Sequence, residues 1–268
     1  MIRGVYDYAQ LDARGEGQAA AARMEARAEE AASEALFTAL VAPLLGPDTK
    51  RILEVGCGPG ALARRVARNA PHAQVFGSDK SETMIAFAKE RAPYIEFATW
   101  DVNDEAAFPF DPALRFELIL SSVMVPYLSD DETMALGSHL AARLAPRGVL
   151  AFIEQDLQTD ALTYPSYELL SRVLAKDERK IHTTMALGLR PCLRDAGLGL
   201  LPRASFLWTS ETYGPYLRDL FGHLTADAVA SGSLREDERA TFGVTLEELS
   251  ARGDFGYAIV YHRIAGRR

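Results

Sequence analysis

The stretch Arg51-Ile52-Leu53-Glu54-Val55-Gly56-Cys57-Gly58-Pro59-Gly60 decides how this chain folds. Ile52, Leu53 and Val55 make an apolar strand that carries one acid, Glu54, and runs straight into three spaced glycines. Lacking a Cβ, Gly56, Gly58 and Gly60 can take backbone angles that other residues avoid, so the chain can turn sharply and lie against a ligand. A helix-forming run follows from Ala61 to about Asn69. Strand, glycine turn and helix in this order is the device by which open α/β sheets bind nucleotides, at the carboxyl end of the first strand.

Two ligand classes use that device. The dinucleotide pattern G-x-G-x-x-G/A can be laid on Gly56, Gly58 and Ala61. That mode rests a pyrophosphate on free N–H groups at the helix N-terminus, and Pro59 removes one of those donors. Glu54 also places a negative charge where a pyrophosphate is repelled and a cationic amino-acid moiety is welcome. A strand-to-helix turn with no ligand is the bland alternative. The segment closely resembles the first motif of class I S-adenosylmethionine-dependent methyltransferases, Glu/Asp-x-Gly-x-Gly-x-Gly. The resemblance implies that Glu54, with Gly56, Cys57, Gly58 and Gly60, meets the methionine part of S-adenosyl-L-methionine.

Further motifs follow in order. Gln74–Asp79 reads as a second strand, and its terminal acid lies 19 residues beyond Gly60, near the spacing of about 20 at which a carboxylate meets ribose hydroxyls. Ser81 through Arg91 reads as a helix with Ser81 as its N-cap. By resemblance, Asp79 and Lys80 lie at the ribose and Met84 near the adenine. Tyr94–Val102 is a third strand. The resemblance implies that Asp101 accepts the adenine amino hydrogen and that the backbone N–H of Val102 reaches the ring. Trp100 either flanks the purine or is a core aromatic. Phe116–Ser122 is a buried strand, with Ser121 assigned to the cofactor side. Val123–Asp130 looks like the family's loop after the fourth strand, although Glu117 stands in place of the usual Asp. Pro126-Tyr127 likewise stands where many relatives carry a His pair. Leu144-Ala-Pro-Arg-Gly148 leads into a fifth strand, Val149–Glu154.

Five alternations of strand and helix require a parallel sheet with right-handed crossovers. The fold class expected is α/β: a Rossmann-like, mostly parallel seven-stranded sheet with an antiparallel last strand and helical lid segments. Residues 1–43 form an N-terminal helical arm, helical over 16–42. Residues 44–268 form the methyltransferase-like domain, with lid insertions at about 156–182 and 210–250. Pro202–Thr209 and Phe255–His262 supply the late strands. The resemblance is specific over residues 51–155 and only topological beyond.

The 268 residues are 48% hydrophobic and 25% charged, with a net charge of −8. These are ordinary globular values. A chain with no basic stripe is a poor match for nucleic acid, whose binding depends on phosphate neutralisation. The expected partner is therefore a small-molecule substrate, with no nucleic acid and no membrane, on a monomer or homodimer. Cys57 and Cys192, the two cysteines, suggest neither a disulfide framework nor a metal site. The start, Met-Ile-Arg-Gly-Val-Tyr-Asp-Tyr, lacks the apolar stretch of a secretory signal, and the expected location is the cytoplasm.

The expected activity is S-adenosylmethionine-dependent methyl transfer to an O, N or C atom of a small hydrophobic metabolite. The alternative is a protein of the same fold that binds the cofactor for another reaction or a scaffold role. Glu154, Tyr127, His182 and His223 are the candidate bases. Gln155, Asp156, Trp208, Tyr6 and Tyr8 are further pocket candidates, and Tyr164, Tyr167, Phe206, Tyr213, Tyr216 and Phe221 are aromatics suited to an apolar pocket. For both histidines and for the aromatics, ordinary surface or core roles are the competing reading.

Overall fold

The computed structural model describes residues 12, 13, 15–174 and 185–268. Residues 16–42 hold two helices, α1 (Gly17–Glu29) and α2 (Ala31–Leu40), where the sequence pattern suggested one. The break falls at Glu30, whose φ of −59° and ψ of 136° are non-helical. Two carbonyls that it frees find donors: Ser33 Oγ donates to Arg27 O at 2.6 Å and Arg65 donates to Ala28 O, while Arg65 also donates to Ser33 O within α2.

The central sheet is built from β1 (Arg51–Val55), β2 (Gln74–Asp79), β3 (Glu96–Thr99), β4 (Phe116–Ser122), β5 (Leu144–Leu162), β6 (Gly199–Leu200), β7 (Ala204–Ser210) and β8 (Tyr257–Arg267). The spatial order is β3-β2-β1-β4-β5-β8, with β6 and β7 both paired to the outer side of β8. The first five strands are mutually parallel and β8 is antiparallel to both its sides. Seven strand positions therefore hold eight strands. The outermost position is interrupted at Leu201-Pro202-Arg203, since Pro202 has no N–H to give the ladder.

Helices α3 (Ala61–Asn69), α4 (Glu82–Arg91), α5 (Asp130–Ala142), α6 (Tyr167–Val173), α7 (Met185–Asp195), α8 (Pro215–Ala230) and α9 (Glu236–Arg252) complete the fold. The start signals read from sequence have physical counterparts. Ser81 Oγ accepts from Met84 N at 3.1 Å, and Ser129 with Glu132 closes a capping box on α5. Buried strand residues divide between the two faces: Ile52, Leu118 and Ala151 lie on one, Leu53, Ile119 and Leu150 on the other. This two-sided burial is why the central strands read as continuous apolar runs.

Helix packing on the second face is tight at Gly137 of α5. A Cβ there would collide with Cys192 Sγ and come within 3.4 Å of the Cys192 carbonyl oxygen. Gly137→Ala is expected to cost roughly 1–3 kcal/mol by overpacking, read as a lower urea midpoint. Adding Cys192→Ala, which removes the sulfur, should recover part of that loss.

The largest departure from the sequence pattern is β5. Its parallel portion ends near Ile153, yet the strand continues to Leu162 alongside β8, pairing Gln155 with Tyr261 and Leu162 with Tyr257. Asp156–Leu162, expected within an insertion, are thus strand. A bulge between Asp156 and Ala161 interrupts the register. It is closed by Thr159, whose Oγ1 donates to Asp156 O and accepts from Val260 N. No helix among the described residues is long and apolar enough to cross a membrane.

Candidate active site

The order β2-β1-β4 makes the carboxyl ends of β1 and β4 the topological switch point, where open sheets leave a crevice. The glycine turn sits there. Gly56, Gly58 and Gly60 have φ of 69°, 52° and 79°, the left-handed region that glycine enters without steric cost. Side chains crowd the turn as well. A Cβ would lie 2.6 Å from Met124 Sδ at Gly56 and 2.9 Å from Met24 Sδ at Gly58.

Asp79 ties this turn to β2. Its Oδ2 accepts from Gly58 N at 2.8 Å and its Oδ1 from Ser81 N at 3.0 Å. Cys57 N donates to Ser78 O at 2.9 Å. The sequence placed Asp79 at a ligand, and the structure adds that it also holds the glycine turn. Burial raises the pKa of its carboxyl, against the lowering effect of these hydrogen bonds.

Glu54 is 3% exposed, and its Oε2 has no hydrogen-bond partner. Desolvation pushes its pKa up to about 8, assisted by the Asp79 charge and opposed by Arg64 and Arg27. Glu154 is wholly buried on β5. Its Oε1 faces the backbone N–H groups of Met124 and Val125 at 3.4 Å, and its Oε2 also lacks a partner. Burial lifts it to about 8 as well. Ser78 and Ser121 flank Val55 in register from β2 and β4, and each has a buried, unpartnered hydroxyl. Among the described residues, four unsatisfied buried polar atoms therefore stand near the carboxyl ends of β1, β2, β4 and β5, Glu54 on one face of the sheet and Ser78, Ser121 and Glu154 on the other. Buried polar groups are nearly always hydrogen-bonded, so this rim fits a polar ligand whose groups supply the missing bonds.

The remaining candidates are distributed unevenly. Met84 is buried against Ala20 and Ala21 of α1. Val102 is buried, whereas Asp101 is exposed with its Oδ1 accepting from Asn103 N. Lys80 is exposed beside Asp79. Trp100 packs edge-on against Phe108 and donates to Asp104 O, as a core aromatic does. Tyr127, 38% exposed, lies in a 3-10 turn, Val125–Tyr127, whose first residue turns its backbone N–H toward Glu154. His223 belongs to a network on the α1–α8 contact, 3.2 Å from an Arg23 nitrogen and 3.3 Å from Asp219 Oδ2. Asp156 pairs with His262 at 3.5 Å. Trp208 is buried and donates to Ser33 Oγ, Tyr216 and Phe221 are also buried, and Tyr167 is 84% exposed. Tyr6, Tyr8 and His182 lie outside the described residues.

Three features escaped the sequence reading. Ser78 looked like an ordinary strand residue. Arg27 looked like one charge on a solvated helix face, yet its charge acts on both Glu54 and Glu154. Val123, at φ 53°, holds a β-branched side chain in the left-handed region at the exit of β4. Such strain is uncommon for this residue type and gathers at functional loops.

The two raised carboxyls have a consequence for stability. A carboxyl whose folded pKa, about 8, exceeds its ordinary 4.5 costs nothing below pH 4.5. It destabilises progressively as pH rises, because the unfolded chain ionises first, and the cost is complete above pH 8. Glu154→Gln is therefore expected to gain thermal stability relative to the parent as pH rises from 5 to 8.5. A gap that stays constant across that range would contradict the assignment.

Residues 52–148 match the family model described as a methyltransferase domain. That stretch is a methyltransferase domain. Its match spans the glycine turn, Asp79 and the β4 loop, so Glu54, Ser78 and Ser121 of the rim belong to that domain, and Glu154 lies just beyond the matched stretch. Trans-aconitate 2-methyltransferase of Variovorax paradoxus is 33% identical over 142 residues, covering 51% of this chain and 49% of its own length. The Yersinia pestis protein of the same name is 32% identical over 136 residues, with 51% and 48% covered. The chain thus spans about half the length of the curated relatives it matches. Among solved structures, an amino pentose methyltransferase from Micromonospora echinaspora with S-adenosylmethionine bound is 29% identical, with 49% of this chain and 53% of that one covered at a TM-score of 0.40. S-adenosylmethionine is the cofactor of the methyltransferase domain. The polar rim and the glycine turn, open to backbone approach, fit such a molecule.

Proposed function

We propose that this protein transfers a methyl group from S-adenosylmethionine to an O, N or C atom of a small metabolite. The observation that carries the reading is the row of unpartnered polar atoms on Glu54, Ser78, Ser121 and Glu154 around the glycine turn at the switch point. When bound, the cofactor supplies an activated methyl on a sulfonium, so the chain's own work is largely alignment.

In this reading, Glu54 and the turn Gly56–Gly60, with Cys57 in it, receive the amino-acid end. Asp79 and Lys80 receive the ribose, and Met84, Asp101 and Val102 the adenine. Ser121 lines the cofactor side of β4. Glu154 and Tyr127 share the corner where an acceptor approaches. With a pKa near neutrality, Glu154 is suited to hold a proton taken from the acceptor. Of the described residues, 15–43, 163–174 and 210–250 cover this face as a cap in this reading. The acceptor's apolar character has weaker support, since Trp208, Tyr213, Tyr216 and Phe221 are buried in the core.

Trans-aconitate, from the relatives' name, is the first acceptor to try, alongside a panel of amines, phenols and carboxylates. Formation of S-adenosylhomocysteine and of a product 14 mass units heavier (one CH2, general chemistry of methylation) is the expected result. If Glu154 is the base, Glu154→Gln should lower kcat by about 10²–10⁴-fold. Tight cofactor binding without turnover of any acceptor would favour the non-methylating reading.

A further inference from the structure

The two edges of the sheet are built differently. One is β3, four residues that begin with the charge of Glu96. The other is β7, the seven residues Ala204-Ser-Phe-Leu-Trp-Thr-Ser210, with no charge, proline or glycine among them. Native sheets guard an exposed edge with charges, Pro or bulges, because its unpaired backbone groups invite another strand. Among the described residues, no strand pairs with the outer side of β7. Its inner position is fixed by the ladder with β8 and by Trp208, which donates to Ser33 Oγ of α2 at 3.2 Å.

The direction of the outer backbone groups follows from β8. Val260 N donates to Thr159 Oγ1 of β5 at 2.9 Å, and just past the strand's end Arg268 N donates to Gly148 O of β5. In an antiparallel ladder both backbone groups of a residue point to the same side, and alternate residues point to opposite sides. Even-numbered residues of β8 therefore turn toward β5, away from β7. Their partners in register are Ser205 (opposite His262), Leu207 (opposite Val260) and Thr209 (opposite Ala258). These three turn their N–H and C=O groups outward. They are also the exposed residues of β7, with Leu207 at 55%.

A second β7 laid antiparallel on this edge, Leu207 facing Leu207, closes on itself. Ser205 then faces Thr209, each facing pair exchanges two N–H···O=C bonds, and the two Leu207 side chains meet on one face of the joined sheet. The flanks fit the same two-fold axis. Arg203 and Glu211, both exposed, stand four residues either side of Leu207, so each Arg203 falls opposite Glu211 of the second copy. A parallel pairing in the same register would set Arg203 against Arg203.

We propose that β7 is a homodimer interface, at which two copies of this chain join antiparallel about Leu207 into one continuous sheet with Arg203 opposite Glu211 at both ends. The inference is independent of the methyltransferase reading. A strand-to-strand contact of this length buries little surface, so a dissociation constant of about 1–100 μM is expected. Sedimentation velocity of the full chain from about 1 to 300 μM should show monomer passing to dimer and no larger species, since an isologous pairing uses up the edge.

Leu207→Lys sets two cations face to face at the axis and should weaken the dimer at least about 30-fold. Thr209→Pro removes an outward N–H and no bond to β8, so it should weaken the dimer while the melting temperature stays near that of the parent. Arg203→Glu and Glu211→Arg should each weaken it about 3–10-fold, and combining the two should restore the parent value. A parent protein that stays monomeric at the highest concentration overturns the proposal. So does a dimer that Leu207→Lys and Thr209→Pro leave intact, or a doubly reversed variant no stronger than either single reversal.

Discussion

Asp79→Ala is expected to weaken binding of S-adenosylhomocysteine by at least about tenfold and to lower the melting temperature in the same protein. The carboxylate is placed for two tasks. It accepts backbone hydrogen bonds from Gly58 at 2.8 Å and from Ser81 at 3.0 Å, and in the proposed complex it also meets the ribose hydroxyls. Hydrogen bonds to a charged group contribute about 1.5–3 kcal/mol each. Losing the ribose contact alone would weaken affinity by about 10–150-fold, and a loosened glycine turn adds to that. Asp79→Asn separates the effects. Its one remaining carbonyl oxygen can hold only one of the two N–H groups well, so intermediate stability is expected with a large affinity loss. Calorimetric titration beside thermal melting gives both readouts. Unchanged affinity in Asp79→Ala would remove the acid from the site.

Cofactor binding is expected to take on a pH dependence from Glu54. With its pKa near 8 in the free protein, Glu54 is largely protonated at pH 6–7. A cationic ligand is bound best by the ionised form, so binding carries the cost of releasing that proton. Below the free pKa, affinity should climb toward the limiting tenfold per pH unit, and the rise should flatten as pH approaches 8. Calorimetry of S-adenosylhomocysteine between pH 6 and 7.5, in buffers of different ionisation heat, would register close to one proton released per ligand. Glu54→Gln should bind weakly at every pH with no such slope. A parent protein with flat affinity over this range would show that Glu54 is not the group meeting the cation.

The fold was legible from sequence wherever a local rule and a long-range requirement coincide. The glycine turn needs left-handed angles, the buried strands are apolar on both faces, and Ser81 and Ser129 announce the starts of helices. Each of these signals is short-range. The helix break at Glu30 was not legible, because one of the carbonyls it frees is satisfied by Arg65, which lies 35 positions away in sequence. The length of β5 was hidden too: past Ile153 its residues are polar and read as loop, and only pairing with β8 makes them strand. The site divides the same way. Glu54 and Asp79 stand at fixed distances from the glycines and could be found by counting. Arg27, Ser78 and Val123 matter through what the folded chain sets beside them, and no spacing rule reports that.

The extension of β5 beyond the glycine turn has a practical consequence for anyone wishing to redirect such a protein toward new molecules. Where binding walls are loops, specificity can be altered by trading whole segments of different length. Here Gln155 and Asp156 stand on a strand paired residue by residue with β8, and adding or removing one residue would turn every later side chain to the opposite face. Useful changes on this wall are therefore confined to exchanges of side chain at fixed positions, or to the bulge between Asp156 and Ala161, where the ladder already tolerates unpaired residues. A library that varies the bulge in length and Gln155 in identity should yield folded variants far more often than one that inserts residues anywhere else along the strand.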